Sequence, residues 1–438
     1  MKNKVKILNV VLVVSILLFV GLCFLYINNK ETEEVLAEEE ISLDMAMDDM
    51  EGSSVEETEE EVIMSEEEPA FEEYDIKLMM VGDNLLHPAI IKTGIQEDGS
   101  LDYEFLFKDI EEYLELADIK MINQETILGG NDLGFSGYPY FNSPTEIGDS
   151  IAESGFNVVL HASNHAADMG LDGIINCASF WEKYPEVIMT GIYKDRDQEH
   201  EIPLLTIKDV TFAILNYTYG PNMETLPEPI QGHLEMLCNW DENTGRIDFT
   251  TLHPDVLTDI ENASKIADVV IVCPHWGTEY TTQASSYQKE FAQQMTQAGA
   301  DLILGTHPHS IQPVEWIESE NGNRALCYYS LGNYVSTQNK EISMLGAMAW
   351  ITFRVKEDGI TIWEANTGVV PLVCHYRRQG LRHENVYLLE EYTQELADAH
   401  GIHTYGPEIR LRLEDLQTWS DETFGHWVLR AEQVLKNK

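Results

Sequence analysis

Residues 7–27 form a run of 21 positions without a charged side chain, with only Asn9 and Ser15 clearly polar. A stretch this long and apolar on every side predicts a membrane-spanning helix, because about 20 apolar residues cover the hydrocarbon core of a bilayer. Lys2, Lys4 and Lys6 precede the run and acids follow it, which predicts a cytoplasmic N-terminus and an extracellular remainder. The run is longer than the apolar core of a cleaved signal peptide, so residues 1–28 are read as an anchor, although Val35-Leu36-Ala37 resembles a cleavage site.

From residue 76 the pattern changes to short apolar runs alternating with amphipathic stretches. Residues 76–81, 156–160, 268–273 and 301–304 read as buried strands. Residues 105–116, 173–181 and 288–298 read as helices, the first with apolar side chains at 105, 106, 110, 113 and 114. Strands alternating with helices predict an α/β core with parallel pairing. Residues 204–217 and 347–362 read as strand pairs without helices, so antiparallel strands are expected as well. A polar, helix-rich stretch follows from about residue 384. The expected organisation is an anchor (1–28), a linker (29–73), a main domain (74–375) and a C-terminal extension (376–438).

Charge sharpens this division. The chain has 438 residues, 76 acidic and 27 basic, for a net charge of −49. Residues 31–73 hold 20 Asp or Glu and no Lys or Arg, a density that repels itself and predicts a disordered acidic stalk. Taking those 20 acids and the four lysines before them out of −49 leaves −33 on residues 74–438. A domain that acidic argues against electrostatic binding to nucleic acid. Its five cysteines, Cys177, Cys238, Cys273, Cys327 and Cys374, are odd in number and lack CxxC spacing, against both a full disulfide framework and a thiolate zinc site.

Candidate chemistry collects where the strands end. In open α/β sheets, ligands bind at the carboxyl ends of strands. Here successive ends carry Gly82-Asp83, Asn123-Gln124-Glu125, Ser163-Asn164-His165 with Asp168 and Gly170, His275-Trp276-Gly277 with Glu279 and Tyr280, and His307-Pro308-His309. Carboxylate, amide oxygen and imidazole together suit a borderline divalent cation such as Mn²⁺, Fe²⁺ or Zn²⁺. This number of N and O donors could hold two ions that share a bridging carboxylate. Each residue alone has a plainer reading: Asp83 as a helix cap, Asn164 as a turn residue, a single histidine as a hydrogen-bonding partner. Recurrence after separate strands is what points to one shared polar site. His161 is read as structural, Trp276 and Tyr280 equally as packing residues or substrate platforms, and His375 and His426 as lacking a constellation.

Taken together, Gly-Asp at 82–83, Asn-x-Glu at 123–125, Ser-Asn-His-x-x-Asp-x-Gly at 163–170, His-Trp-Gly-x-Glu-Tyr at 275–280, Gly-x-His-Pro-His-x-x-Gln at 305–312 and Tyr-Ser-Leu-Gly-Asn at 329–333 resemble the bacterial CapA family. Its members are poly-γ-glutamate capsule biosynthesis proteins with a domain similar to calcineurin-like metallophosphoesterases. The resemblance implies a metallophosphoesterase-like α/β/β/α sandwich with mixed sheets over residues 76–373. It further implies Asp83 and His309 at one metal, Asn164, His275 and His307 at a second, and Glu125 between them. By the same resemblance His165 would donate a proton to the leaving group, with Asp168 and Glu279 as orienting residues. The phosphoesterases usually begin Asp-x-His, whereas the first histidine after Asp83 is His87; Asn-x-Glu likewise stands where they carry Gly-Asp-x-x-Asp. Those departures leave the metal number open between two, one and none.

Two functional classes follow. One is a membrane-anchored extracellular metal-dependent hydrolase or transferase acting on poly-γ-glutamate or an envelope phosphoester, with a capsule synthase complex as partner. The other is a non-catalytic factor for assembly, export or retention of an anionic capsule polymer. A third class, a metal-dependent nuclease, fits the fold relatives but has to overcome the charge of −33 against a polyanion.

Overall fold

The computed structural model describes residues 71–198, 201–377 and 383–436. The expected anchor, and the expected stalk apart from its last three residues, lie outside the described residues. Among the described residues no helix is long and apolar enough to cross a membrane.

Seventeen strands among the described residues form a mixed α/β fold with three sheets. The first sheet begins with β1 (Tyr74–Asn84), β2 (Ile119–Asn123), β3 (Val158–Leu160) and β4 (Ile188–Thr190), all parallel. Next come β5 (Leu204–Ile207) and β6 (Val210–Thr218), a small hairpin β7 (Cys238–Trp240) and β8 (Ile247–Leu252), then β9 (Val269–His275), β10 (Leu302–Leu304), β11 (Val314–Glu318) and β12 (Arg324–Tyr328). The chain then returns to the first sheet with β13 (Asn333–Val335), β14 (Leu345–Lys356), β15 (Gly359–Ile362), β16 (Gly368–Tyr376) and β17 (His383–Leu388). The first sheet runs β17-β16-β14-β1-β2-β3-β4, and the second β11-β12-β10-β9-β6-β5 with antiparallel strands at its two edges.

The period of two along β1 explains the layering. Ile76, Leu78 and Met80 face inward and share a core with Ile214 and Ile271 of the second sheet, where Phe212 meets Phe353 edge to face at 5.2 Å. Met79 and Val81 face outward into a core that includes Ile147, Ile151 and Ile174 from helices Glu146–Glu153 and Gly170–Trp181. On the outer side of the second sheet, Val270 and Val272 pack with Val256, Ile260 and Phe291 from helices Pro254–Ala263 and Ser286–Ala298. The latter helix is bounded by a Ser285–Gln288 capping box and by Gly299 at φ 119°.

Two expectations need correction. Residues 105–116 are not one helix but two 3₁₀ turns, Glu104–Leu106 and Lys108–Ile110, followed by helix Glu111–Leu116. Phe107, Ile110 and Tyr113 recur every third residue and all are buried, which suits the three-residue turn of a 3₁₀ helix better than a continuous α-helix. The stretch from residue 384 is not only helical. Its first residues belong to β17, whose pairing with β16 extends the first sheet. Further on, Ile402, Leu411, Leu416 and Phe424 join the inner core beside Val369 and Val373.

Candidate metal centre

The parallel strands of both sheets end at one place. Asp83 is the penultimate residue of β1, Glu125 follows β2, Asn164 and His165 follow β3, His275 ends β9, and His307 and His309 follow β10. β13 runs parallel to β1 and sets Asn333 beside Asp83. This close approach requires glycine at 82: a Cβ there would lie 2.0 Å from the carbonyl oxygen of Gly332, which accepts the Asp83 N–H at 2.9 Å.

Backbone strain concentrates in the same region. Four non-glycine residues have positive φ among the described residues, and three of them are Tyr280 (62°), His307 (97°) and His309 (53°). Both rings of the His-x-His segment belong to candidate metal-binding groups. The Tyr280 N–H donates to the Pro308 carbonyl at 2.7 Å and ties the two loops together.

Glu125 is the centre of the site. Its carboxylate is fully buried, yet neither oxygen has a hydrogen-bond partner. His275 Nε2 stands 3.8 Å from Oε1, and His309 Nε2 stands 3.6 Å from the same oxygen. The outer nitrogens of both rings are engaged: His275 Nδ1 with Thr306 Oγ1 at 2.9 Å, His309 Nδ1 with Asp83 Oδ2 at 3.1 Å and Asn333 Oδ1 at 3.0 Å. Outer contacts of this kind aim an imidazole at a metal. His307 Nδ1 is buried without a hydrogen-bond partner.

Ligand atoms of Asp83, Glu125 and His309 lie within 4.8 Å of one another, as do those of Glu125, His275 and His307, and those of Glu279, His307 and His309. These His, Glu and Asp groups, all buried except Glu279, could hold a metal ion. Glu125 is shared by two of the three groups. Asn164 stands beside them, with Oδ1 2.8 Å from His275 Nε2. Its Nδ2 donates to Asn222 Oδ1 at 3.1 Å, which turns the oxygen end toward the centre. Glu279 is exposed, and one of its carboxylate oxygens lies within 4.8 Å of ligand atoms of His307 and His309.

Burial drives the electrostatics. It pushes the Glu125 carboxyl well above its usual range, with His309 opposing and Asp83 adding to the rise. Burial also holds His275 and His307 well below the usual imidazole value, and neighbouring histidines lower both further. Burial would lower His309 too, but Glu125 and Asp83 outweigh it and raise the group to about 9. A positive charge is thus favoured beside Glu125, and a divalent cation would meet that need and satisfy the orphaned oxygens. The donor set fits such an ion.

His165 sits next to this cluster, 5% exposed, with Nδ1 2.7 Å from Asp168 Oδ2. That oxygen also accepts the Phe141 N–H at 2.6 Å, and the Phe141 ring meets His165 edge to face at 4.6 Å. The pair fixes which nitrogen of His165 remains for chemistry.

Other candidates fall outside the cluster. His87 belongs to none of the three ligand groups; its Nδ1 accepts the Thr337 N–H at 3.3 Å, and burial pushes its imidazole down to about 4. His161 is structural, accepting the Trp181 indole N–H at 2.8 Å. Trp276 is buried and donates to the Tyr329 carbonyl at 2.9 Å, whereas Tyr280 is 38% exposed at the rim. His375 does have a constellation, contrary to expectation, with Tyr387, Tyr392 and His400 packed around it. The five cysteines of the domain are buried free thiols. Asn222 and Phe141 carry no strand-end signal and escape sequence reasoning; Thr306, in the run that follows β10, and Asn333, at the end of its Gly-Asn turn, are the outer partners with a hint.

The chain is 28% identical over 226 residues to the PGA biosynthesis protein CapA of Bacillus subtilis (strain 168), a match covering 51% of this chain and 53% of that protein. It is 25% identical over 308 residues to the capsule biosynthesis protein CapA of Bacillus anthracis, covering 68% and 67%. The chain therefore spans about half the length of the first relative and two thirds of the second. A crystal structure of a hypothetical protein from Thermus thermophilus aligns with 66% of this chain and 99% of its own at 15% identity, with a TM-score of 0.35. Residues 77–338 match the bacterial capsule synthesis protein PGA_cap, and on that match the chain belongs to this family, the family of CapA.

Proposed function

We propose that this protein acts in capsule biosynthesis as a membrane-anchored extracellular enzyme, a metal-dependent hydrolase or transferase working on poly-γ-glutamate or an envelope phosphoester. The observation that carries the reading is the buried Glu125 carboxylate, neither oxygen hydrogen-bonded, between His275 and His309. The two packed sheets, flanked by helices and with donors at their strand ends, support a metallophosphoesterase-like α/β/β/α domain. In this reading Asp83 and His309 would hold one ion and Asn164, His275 and His307 a second, with Glu125 available to both. When bound, Mn²⁺, Fe²⁺ or Zn²⁺ supplies Lewis acidity toward an ester or amide and lowers the pKa of water.

The protein's own residues supply orientation and a proton. Asp168 holds His165 through Nδ1, so Nε2 is the nitrogen that protonates the departing alcohol or amine. Asn222 and Thr306 keep the inward atoms of Asn164 and His275 in place. The His165–Asp168 pair favours catalysis over the alternative of a non-catalytic assembly or retention factor, which needs no oriented proton donor. The apolar run at 7–27 supports the anchor, and the charge of −49 supports a partner other than nucleic acid.

The test is turnover by the full-length protein in mild detergent with Mn²⁺. Release of γ-glutamyl fragments or of phosphate, abolished in His165→Ala, supports the reading. Absence of both from a protein shown to bind the metal would overturn it.

A further inference from the structure

A groove of about 480 Å³ opens beside the metal centre, and it is built largely from residues beyond the family match at 77–338. Lys340 stands on one side; Arg410 and Trp419 come from the C-terminal segment; Tyr280 joins the groove to the site. Lys340 Nζ lies 5.9 Å from the centroid of the Tyr280 ring, and that ring lies 6.1 Å from His309. A hydrogen-bond chain runs the same way: Gln338 Nε2 donates to the Tyr280 hydroxyl at 3.2 Å, Asn333 Nδ2 donates to Gln338 Oε1 at 2.9 Å, and Asn333 Oδ1 faces His309 Nδ1 at 3.0 Å.

The groove carries two cations, Lys340 and Arg410, and two carboxylates, Glu341 and Asp415. Arg410 makes no side-chain ion pair or hydrogen bond among the described residues; only its backbone N–H is engaged, donating to Glu341 Oε1 at 3.1 Å. Asp415, the other acid of the groove, is taken by the Arg412 guanidinium in a two-point contact at 2.6 and 2.7 Å. Two cations without carboxylate partners among the described residues thus meet in one groove of a protein with 76 acids and 27 bases. Guanidinium and ammonium groups flanked by aromatic faces recognise carboxylates on a chain whose carbon stems lie against the rings.

We infer that this groove is a subsite for a linear carboxylate-bearing chain, with Lys340 and Arg410 binding carboxylates of units that lie away from the reacting bond. The inference rests on the reading of the site as one that works on an anionic polymer, and it names the residues that capture it. The two spans meeting at Tyr280 put Lys340 at most about 12 Å from the His309 ring, the reach of ~3–4 extended residues. The net charge repels such a polymer, so capture has to be local.

The test is binding by the full-length protein, in mild detergent without added metal, of a short γ-linked glutamate oligomer and of free glutamate. Expected is binding of the oligomer about tenfold tighter than of free glutamate, weakened by about tenfold in Lys340→Glu/Arg410→Glu and retained in Lys340→Arg/Arg410→Lys. Mn²⁺ affinity should be the same in all three proteins, which also reports that each is folded. Oligomer affinity unchanged by the charge reversal, or no oligomer binding by the unaltered chain, would overturn the subsite. Oligomer binding through Lys340 and Arg410 without metal-dependent turnover would leave the subsite standing and count against the hydrolytic reading alone.

Discussion

His165 Nδ1 lies 2.7 Å from Asp168 Oδ2, and the same oxygen receives the Phe141 N–H at 2.6 Å. A histidine held in this way keeps one tautomer and one ring orientation, as a proton donor to a leaving group requires. His165→Ala is expected to lower kcat by about 10²–10⁴-fold with metal content unchanged. Asp168→Asn should lower kcat less, again with metal content unchanged. Equal kcat in the unaltered and His165→Ala proteins would remove the imidazole from the chemistry.

Asn222 should matter without touching a metal. Its Oδ1 accepts from Asn164 Nδ2, and this contact is what keeps Asn164 Oδ1 at 2.8 Å from His275 Nε2. Asn222→Ala frees the amide to flip, and Mn²⁺ affinity by calorimetric titration should fall about tenfold. An unchanged affinity would show that Asn164 needs no outer support.

These two residues also mark how far the sequence could be read. Asp83, Glu125, Asn164, His275, His307 and His309 were legible because each follows an apolar run, where an α/β sheet presents its ligand-binding edge. Asn222 was not, because its partner lies 58 positions away and nothing local distinguishes it from a loop asparagine. The same holds for Phe141, whose N–H meets a carboxylate 27 positions on. In the fold, the long runs at 76–81 and 268–273 carry their strands, and the equally apolar Val-Val-Leu and Leu-Ile-Leu carry β3 and β10 at three residues each, whereas β4 (Ile-Met-Thr) and β13 (Asn-Tyr-Val) include polar residues and lack a continuous apolar run. Residues 105–116 misled because buried residues three apart satisfy a helix and a series of 3₁₀ turns alike.

Stability should fall in mild acid. Burial holds His161 and His400 down to about 3, against 6.5 for an ordinary imidazole. Between those values the unfolded chain binds more protons than the folded one. Their contribution is therefore complete above pH 6.5 and is lost as pH falls toward 3, at about 1.4 kcal/mol per pH unit for each group. From pH 7 to pH 5 the two together should cost about 4 kcal/mol. His161→Gln keeps an acceptor for the Trp181 indole and should remove about half of that loss. Urea unfolding at the two pH values checks it; an identical acid shift in both proteins would contradict the sign argued here.

Gly82→Ala tests the seam between β1 and β13. The added methyl would meet the Gly332 carbonyl oxygen at 2.0 Å and force Asp83 away from Asn333. The expected cost is about 3 kcal/mol, with weaker Mn²⁺ binding, because the strands must separate where the metal ligands lie. A thermal unfolding midpoint equal to that of the unaltered protein would show that the seam yields.

The central claim is that Glu125 organises a metal centre among Asp83, Asn164, His275, His307 and His309. Anomalous diffraction from crystals of the protein soaked in Mn²⁺ tests it most directly, because it counts ions and names ligands without assuming a substrate. The account predicts two anomalous peaks about 3.5–4 Å apart with a Glu125 oxygen on each, both lost in Glu125→Gln. No peak within bonding distance of Glu125, in a protein whose solution metal content is below one ion per chain, would contradict it.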